Sequence, residues 1–259
     1  MIRPGTKRIL FALGLGLWTV GAAASLDARF PVDLSRYQDR STIVVDARGE
    51  ILRAFLTGDD KWRLPVRAED VDPAYLSALV AFEDRRFWMH RGVDPVAILR
   101  AIKQWAEAGR VVSGASTLTM QAARLLEPRD RTLVSKMIEA VRALQLEWHL
   151  STSEILSIYL TLAPFGGNIE GVRAASLAYF GKEPDRLTLA QSALLIALPQ
   201  SPERRRPDRE AKAAGDARDH VLRRLQAVGI ATAEAVVEAQ QEHVPMASIP
   251  MPFHAPRLA

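Results

Sequence analysis

Four places in this chain start a helix unambiguously, and they dictate most of what it can become. Asp72-Pro73 and Asp94-Pro95 each pair a capping carboxylate with a proline whose fixed φ and missing N–H suit the first helical position. "STSE" at 151–154 and "TLAQ" at 188–191 are capping boxes directly before the apolar runs "ILSIYLTLA" and "SALLIALP". The spacing predicts further helices from Ser116, as the cap of "TLTMQAARLLE", to Pro128, over 131–149, through 170–180 after the Gly166-Gly167 break, and over 210–227 and 232–242. In the 131–149 helix the apolar positions are Leu133, Ile138, Val141, Leu144 and Trp148. In the helix opened by Asp94, Ile98, Leu99, Ile102 and Trp105 share a face that stops near Gly109. Before Asp72, "DARGEIL" between two apolar stretches reads as a small β-hairpin. The chain is therefore mainly α.

The N-terminus carries a separate signal. Arg3, Lys7 and Arg8 precede the uncharged run from Ile9 to Leu26. At about 1.5 Å per residue the run is roughly 27 Å long, just enough to span a bilayer core. The basic flank places the N-terminus in the cytoplasm and the rest of the chain beyond it. A single-pass anchor is the expected reading. A cleaved signal peptide is the alternative, because "AAAS" at 22–25 offers small residues at a suitable place. The expected organisation is an anchor over 1–26, a short linker and β segment over 27–66, a helical catalytic domain over 67–244, and a loose tail over 245–259.

Much chemistry is excluded. There is no cysteine, so neither disulfides nor thiolate-ligated metals arise. The five histidines lack metal-ligand spacing, no phosphate-binding glycine loop is present, and no serine is followed three residues later by lysine. The net charge of +4 suits an anionic surface or substrate, and nothing points to nucleic acid.

Carboxylates beside basic groups remain. Glu83 lies just beyond the apolar face of Leu76, Leu79 and Val80, where a carboxylate can act as acid or base. The bland alternative is that Glu83 and Asp84 pair with Arg85 and Arg86 on the surface. "GASTLTMQ" at 114–121 puts hydroxyls at a helix N-terminus, which can cap the helix or bind an anion. Arg131, Ser135, Lys136 and Glu139 can share one side of the long helix, with a Lys136–Glu139 surface pair as the plain reading. The loop at 107–115 is a candidate flap at the membrane interface.

Five segments in fixed order carry more than any one of them: "EDRRFWMHRGVD", "GASTLTMQAARLL", "SKMIEAVRALQLE", "ILSIYLTLAPFGG" and "GVRAASLAYFGK", over 83–182. Together they resemble the peptidoglycan glycosyltransferase domain of penicillin-binding proteins and monofunctional transglycosylases, with details most like the 1C subgroup. The resemblance covers roughly residues 60–215. It implies a lysozyme-like glycosyltransferase fold of mainly helical character, with the anchor ahead of it in the cytoplasmic (inner) membrane of a bacterium and the catalytic domain on the outer side. It implies an enzyme of cell-wall synthesis that polymerises lipid II by inverting transfer, releasing undecaprenyl pyrophosphate. The implied partners are lipid II, the growing glycan strand, the membrane and other cell-wall synthesis proteins.

Carried onto this sequence, Glu83 takes the place of the family's catalytic base, with Asp84 and His90 as its neighbours. Ser116, Thr117 and Gln121 match the second motif, and Arg124 replaces its usual lysine. Lys136 and Glu139 match the third motif, with Arg131 as a further cation. Glu83 and Glu139 are thus expected to be catalytic, and the other eight to bind substrate. No cofactor is obligatory on this reading, though a divalent cation, Mg2+ or Mn2+, can assist with a pyrophosphate. Met120, Ser135 and Thr161 depart from the family's usual glutamine, arginine and asparagine. The transpeptidase domain of bifunctional relatives has no counterpart in these residues. The alternatives to polymerisation are a lysozyme-like or lytic glycan-cleaving enzyme and a membrane-anchored, lipid II-binding scaffold with little turnover.

Overall fold

The computed structural model describes residues 21, 24, 25, 27–108 and 116–252, with the side chains of Ile102, Trp105 and Ala108 left out. The chain divides into two compact units, residues 1–33 and 34–259. In the first, residues 21, 24, 25 and 27–29 are helical. The expected anchor lies almost wholly outside the described residues, and so do most of the candidate flap and the side chains of Ile102 and Trp105. Among the described residues no helix is long and apolar enough to cross a membrane.

Among the described residues the second unit is mainly helical with two small sheets. A one-turn helix α1 (Ser35–Gln38) leads into the hairpin β1 (Ile43–Val45) and β2 (Ile51–Ala54), antiparallel as the sequence predicts. Asp46 ties its turn by accepting from the backbone N–H groups of Arg48 and Glu50. The strands β3 (Trp62–Arg63), β4 (Pro164–Gly166) and β5 (Ile169–Glu170) form a second sheet that periodicity did not reveal. β3 runs parallel to β5, and β5 antiparallel to β4. Such two- and three-residue strands are too short to show alternation.

The second sheet is locked by charge. Arg63 is 0% exposed. Its Nε donates to Glu170 at 2.8 Å, its Nη2 pairs with Asp59 at 2.8 Å, and its Nη1 donates to the Asp39 carbonyl. Glu170 also pairs with Arg36, whose guanidinium reaches the Leu125 carbonyl at the end of a later helix. A fully buried guanidinium is tolerated only when paired and hydrogen-bonded throughout, as here.

The helices follow: α2 (Pro73–Glu83), α3 (Pro95–Ala108), α4 (Leu118–Leu126), α5 (Leu133–His149), α6 (Thr152–Leu162), α7 (Val172–Phe180), α8 (Leu189–Ala197), α9 (Ala211–Ala227) and α10 (Ala233–Gln241). Asp72 caps α2 by accepting from Ala74, and both capping boxes form with Ser151–Glu154 and Thr188–Gln191. Asp94 accepts from Val96 at the start of α3. α4 is capped by Thr117, not by Ser116: the Thr117 hydroxyl accepts from Met120. A 3-10 turn (Leu198–Gln200) extends α8. α6 and α8 form the centre, with Ile155, Leu156, Ile158, Leu160, Leu194, Leu195 and Ile196 buried. In the segment after Pro245, Ile249 N–H donates to the Ala178 carbonyl.

α5 is inverted relative to expectation. Its buried face consists of Ser135, Glu139, Ala143, Gln145 and Leu146. Leu133, Val134, Met137, Val141, Leu144 and Trp148 form an outward stripe, with Leu133 83% and Trp148 58% exposed. On α3, Val96, Ile98 and Leu99 are likewise exposed.

Candidate active site

Glu83 is the last residue of α2, at the edge of a cleft of about 600 Å³. Phe82, immediately before it, is buried, with its ring edge-on to His220 and the Arg224 guanidinium 4.7 Å from its centroid. That packing anchors the end of α2 against α9, and Phe82 and Glu83 both line the cleft. Among the described residues neither Glu83 nor Asp84 pairs with Arg85 or Arg86. Glu83 accepts one N–H at each oxygen, from Gln121 at 3.1 Å and from Gln200 at 3.0 Å. Arg86 lies 3.7 Å from Asp94 instead.

The cleft gathers Glu83, Ser116, Gln121, Arg124, Arg131, Lys136 and Glu139 from segments spread over 57 positions, together with Tyr159, Pro199, Gln200 and Arg224. α4 supplies Gln121 and Arg124 three residues apart, on one face. The first turns of α5 supply Lys136 and Glu139. Arg131 precedes the α5 cap, Thr132, and reaches the cleft from the connecting turn. Among the described residues no ion pair joins Lys136 to Glu139, so the surface-pair reading fails and both groups face the cavity. Among the described residues four cations, Arg124, Arg131, Lys136 and Arg224, thus surround two carboxylates, a balance that suits an anionic ligand. Glu83 also acts on the cleft wall: burial, reinforced by the charge of Glu83, raises the hydroxyl of Tyr159 well above its ordinary value.

Asp84, His90 and Thr117 lie elsewhere. All three are buried and none lines the cleft. His90 Nε2–H donates to the Asp84 carboxylate at 3.0 Å, and Asp84 accepts in addition from the Leu118 backbone N–H at 2.9 Å. The Thr117 hydroxyl donates to the Gly92 carbonyl. These residues fasten the loop after Glu83 to the start of α4. They support the cleft without entering it.

Sequence reasoning missed Gln200 and Arg224. Arg224 sits on α9, which the sequence predicts only as a helix, and Gln200 lies 117 positions from the carboxylate it touches. Neither stands in a local pattern that would single it out. Among the described residues no group of three or more histidines and carboxylates gathers that could hold a metal ion.

The transglycosylase family pattern matches residues 48–226. The chain belongs to the transglycosylase family. Penicillin-binding protein 1C of Escherichia coli K12 is 47% identical over 235 residues, 91% of this chain and 30% of that protein. Penicillin-binding protein 1A of Aquifex aeolicus VF5 is 39% identical over 197 residues, 76% of this chain and 27% of that protein. The chain therefore spans under a third of the length of these relatives. A solved structure, penicillin-binding protein 1A from Haemophilus influenzae, matches at 19% identity over 83% of this chain and 22% of its own, with a TM-score of 0.44, too low to carry weight.

The three departures from the usual transglycosylase residues do not touch the cleft. Met120 and Thr161 are buried, and Thr161 donates to the Val66 carbonyl at 3.3 Å. Ser135 hydrogen-bonds the Thr132 hydroxyl at 2.9 Å, tightening the α5 cap. Each is absorbed by the scaffold.

Proposed function

We propose that this transglycosylase polymerises lipid II into glycan strands, with Glu83 as the general base. The observation that carries the reading is one carboxylate at the end of a buried helix, facing a cleft walled by Arg124, Arg131, Lys136 and Arg224. Glu83 takes the proton from the acceptor sugar's 4-hydroxyl. The resulting oxygen nucleophile attacks the anomeric carbon of the growing strand, with inversion, and undecaprenyl pyrophosphate leaves. Base catalysis of this kind contributes typically about 10²–10⁴-fold. Negative charge develops on the departing pyrophosphate, and Lys136, Arg124 and Arg131 are fixed where they can meet it. Glu139, buried at the cleft wall, sets a second carboxylate among these cations. Ser116 and Gln121 bind at the end of α4. No step is routed through a divalent ion.

We assign the catalytic domain to residues 67–244 and place it at the outer face of a bacterial cytoplasmic membrane, held by the N-terminal run. The outward apolar stripe on α5 supports a membrane contact. Leu133 both lines the cleft and begins that stripe, so a substrate can keep its polyprenyl tail in lipid while its pyrophosphate reaches Lys136. A glycan-cleaving enzyme also uses a helix-end glutamate, but a neutral polysaccharide gives four cleft cations nothing to neutralise.

Incubating the detergent-solubilised chain with labelled lipid II is the test. Long glycan products are expected. Muropeptide fragments would replace the proposal with hydrolysis, and retained but unreacted lipid II would leave a scaffold.

A further inference from the structure

Glu83 is gripped from two walls, and the two grips differ in what stands behind them. Gln121 belongs to the well-capped helix α4. Gln200 ends the 3-10 turn after α8 and is exposed on the rim of the cleft. Its Nε2–H donates to Glu83 Oε1 at 3.0 Å, while its own Oε1 accepts from Arg205 Nη1 at 3.1 Å. The same Arg205 nitrogen donates to the Ala197 carbonyl at 2.7 Å, at the end of α8.

A glutamine amide turns end for end with little change of shape, so only its hydrogen-bond partners decide which end meets a carboxylate. Here a guanidinium holds the oxygen end. Reversal would set Oε1 against the carboxylate and the NH₂ group against the guanidinium, two unfavourable contacts in place of two favourable ones. Arg205 thereby fixes the N–H end on Glu83.

We propose that Gln200 is a positioning residue for Glu83, oriented by Arg205. The inference rests on Glu83 being the general base. A carboxylate has about four acceptor positions. One N–H at each oxygen leaves the others open to a substrate hydroxyl, and the two donors together stop the carboxylate from rotating. A general base must lie within hydrogen-bond reach of the proton it removes. A misplacement of about 1 Å can cost about 10²-fold in rate. Gln200 acts on Glu83 rather than on substrate, so its loss is expected in kcat and not in KM.

The test compares steady-state polymerisation of lipid II by the full detergent-solubilised chain and by Glu83→Gln, Gln200→Leu, Gln200→Glu, Arg205→Ala and the Gln200→Leu/Arg205→Ala double variant. Gln200→Leu is expected to lower kcat about tenfold with KM within about twofold. Its thermal midpoint should match the wild type, since the side chain is exposed. Gln200→Glu, which sets a second carboxylate against Glu83, should lower kcat further. The double variant should be no slower than Gln200→Leu, because Arg205 acts through the amide. An unchanged kcat in Gln200→Leu, a rise in KM alone, or fully additive losses in the double variant would each overturn the assignment. If the wild type polymerises and Glu83→Gln does too, the general-base reading itself fails. If Glu83→Gln is dead while Gln200→Leu is normal, only the Gln200 inference fails.

Discussion

Glu83 and Asp84 are neighbours in sequence with opposite surroundings. Glu83 faces the cleft between two amides, while Asp84 is buried with His90 and the N–H of Leu118. Their substitutions should separate accordingly. Glu83→Gln keeps size and should fold normally, yet lose about 10²-fold or more of the polymerisation rate. A variant with more than about a tenth of the wild-type rate would show that Glu83 is not the base. Lys136→Ala should weaken lipid II binding as well as rate, because it removes charge that both bound and departing pyrophosphate would feel. Asp84→Asn should instead act on stability, by about 1–3 kcal/mol, the range for disturbing a buried hydrogen-bonded group. It should also change pH dependence. Burial opposes a charged imidazole at His90, but the hydrogen bond and charge of Asp84, with the charges of Asp94 and Glu147, together raise His90 above its ordinary value. The folded chain then holds the proton more tightly than the unfolded one. That stability is complete below about pH 6.5, the unfolded value, and is lost as pH rises through the folded value. Thermal midpoints of wild type and Asp84→Asn across that range should converge toward high pH. A constant gap would rule out this linkage.

Among elements, what the sequence made legible was local. The caps at Asp72, Asp94, Ser151 and Thr188 depend on neighbours within a turn, and all four form. Thr117 took the role expected of Ser116 because its hydroxyl lies one residue nearer the first turn of α4 and also reaches Gly92. The face of α5 was not legible, since an apolar stripe states that something apolar covers it and not that the cover is the chain's own core. The pairing of β3 with β5 and the grip of Gln200 join positions about a hundred apart, beyond any periodicity. Two of these long-range joints should prove costly to break. Glu170→Ala would leave the buried Arg63 Nε without its acceptor and take the carboxylate from Arg36, while Asp59 still pairs with Arg63. Its expected loss is about 1–3 kcal/mol, read from urea unfolding. Gly92 has φ +79°, and a Cβ there would stand 2.6 Å from the Ala143 carbonyl oxygen on α5. Gly92→Ala must therefore push the Glu83 loop off that helix, and both stability and turnover should fall.

At the scale of the molecule, the cleft and the apolar surface belong to one design. α5 turns Ser135, Glu139 and Ala143 inward and leaves its largest apolar side chains outside, the reverse of an ordinary surface helix. Soluble monomers rarely carry contiguous apolar patches of this kind unless something covers them. The close approach of Gly92 to Ala143 brings the loop bearing exposed Trp88 and Met89 to the same helix. A lipid surface is the cover that fits the proposed substrate, with its polyprenyl tail, and it makes a separable prediction. Val141 and Leu144 lie on the stripe but do not line the cleft. Val141→Glu with Leu144→Glu should therefore slow polymerisation of lipid II embedded in vesicles by about tenfold or more, since withdrawing apolar side chains from lipid and bringing charges to it are both unfavourable. The same double variant should act normally on a water-soluble, short-chain lipid II analogue, for which no bilayer need be approached. Equal losses on both substrates would mean that the stripe supports the fold of α5 rather than the membrane. Equal activity on both would mean that the N-terminal run alone brings the cleft to its substrate.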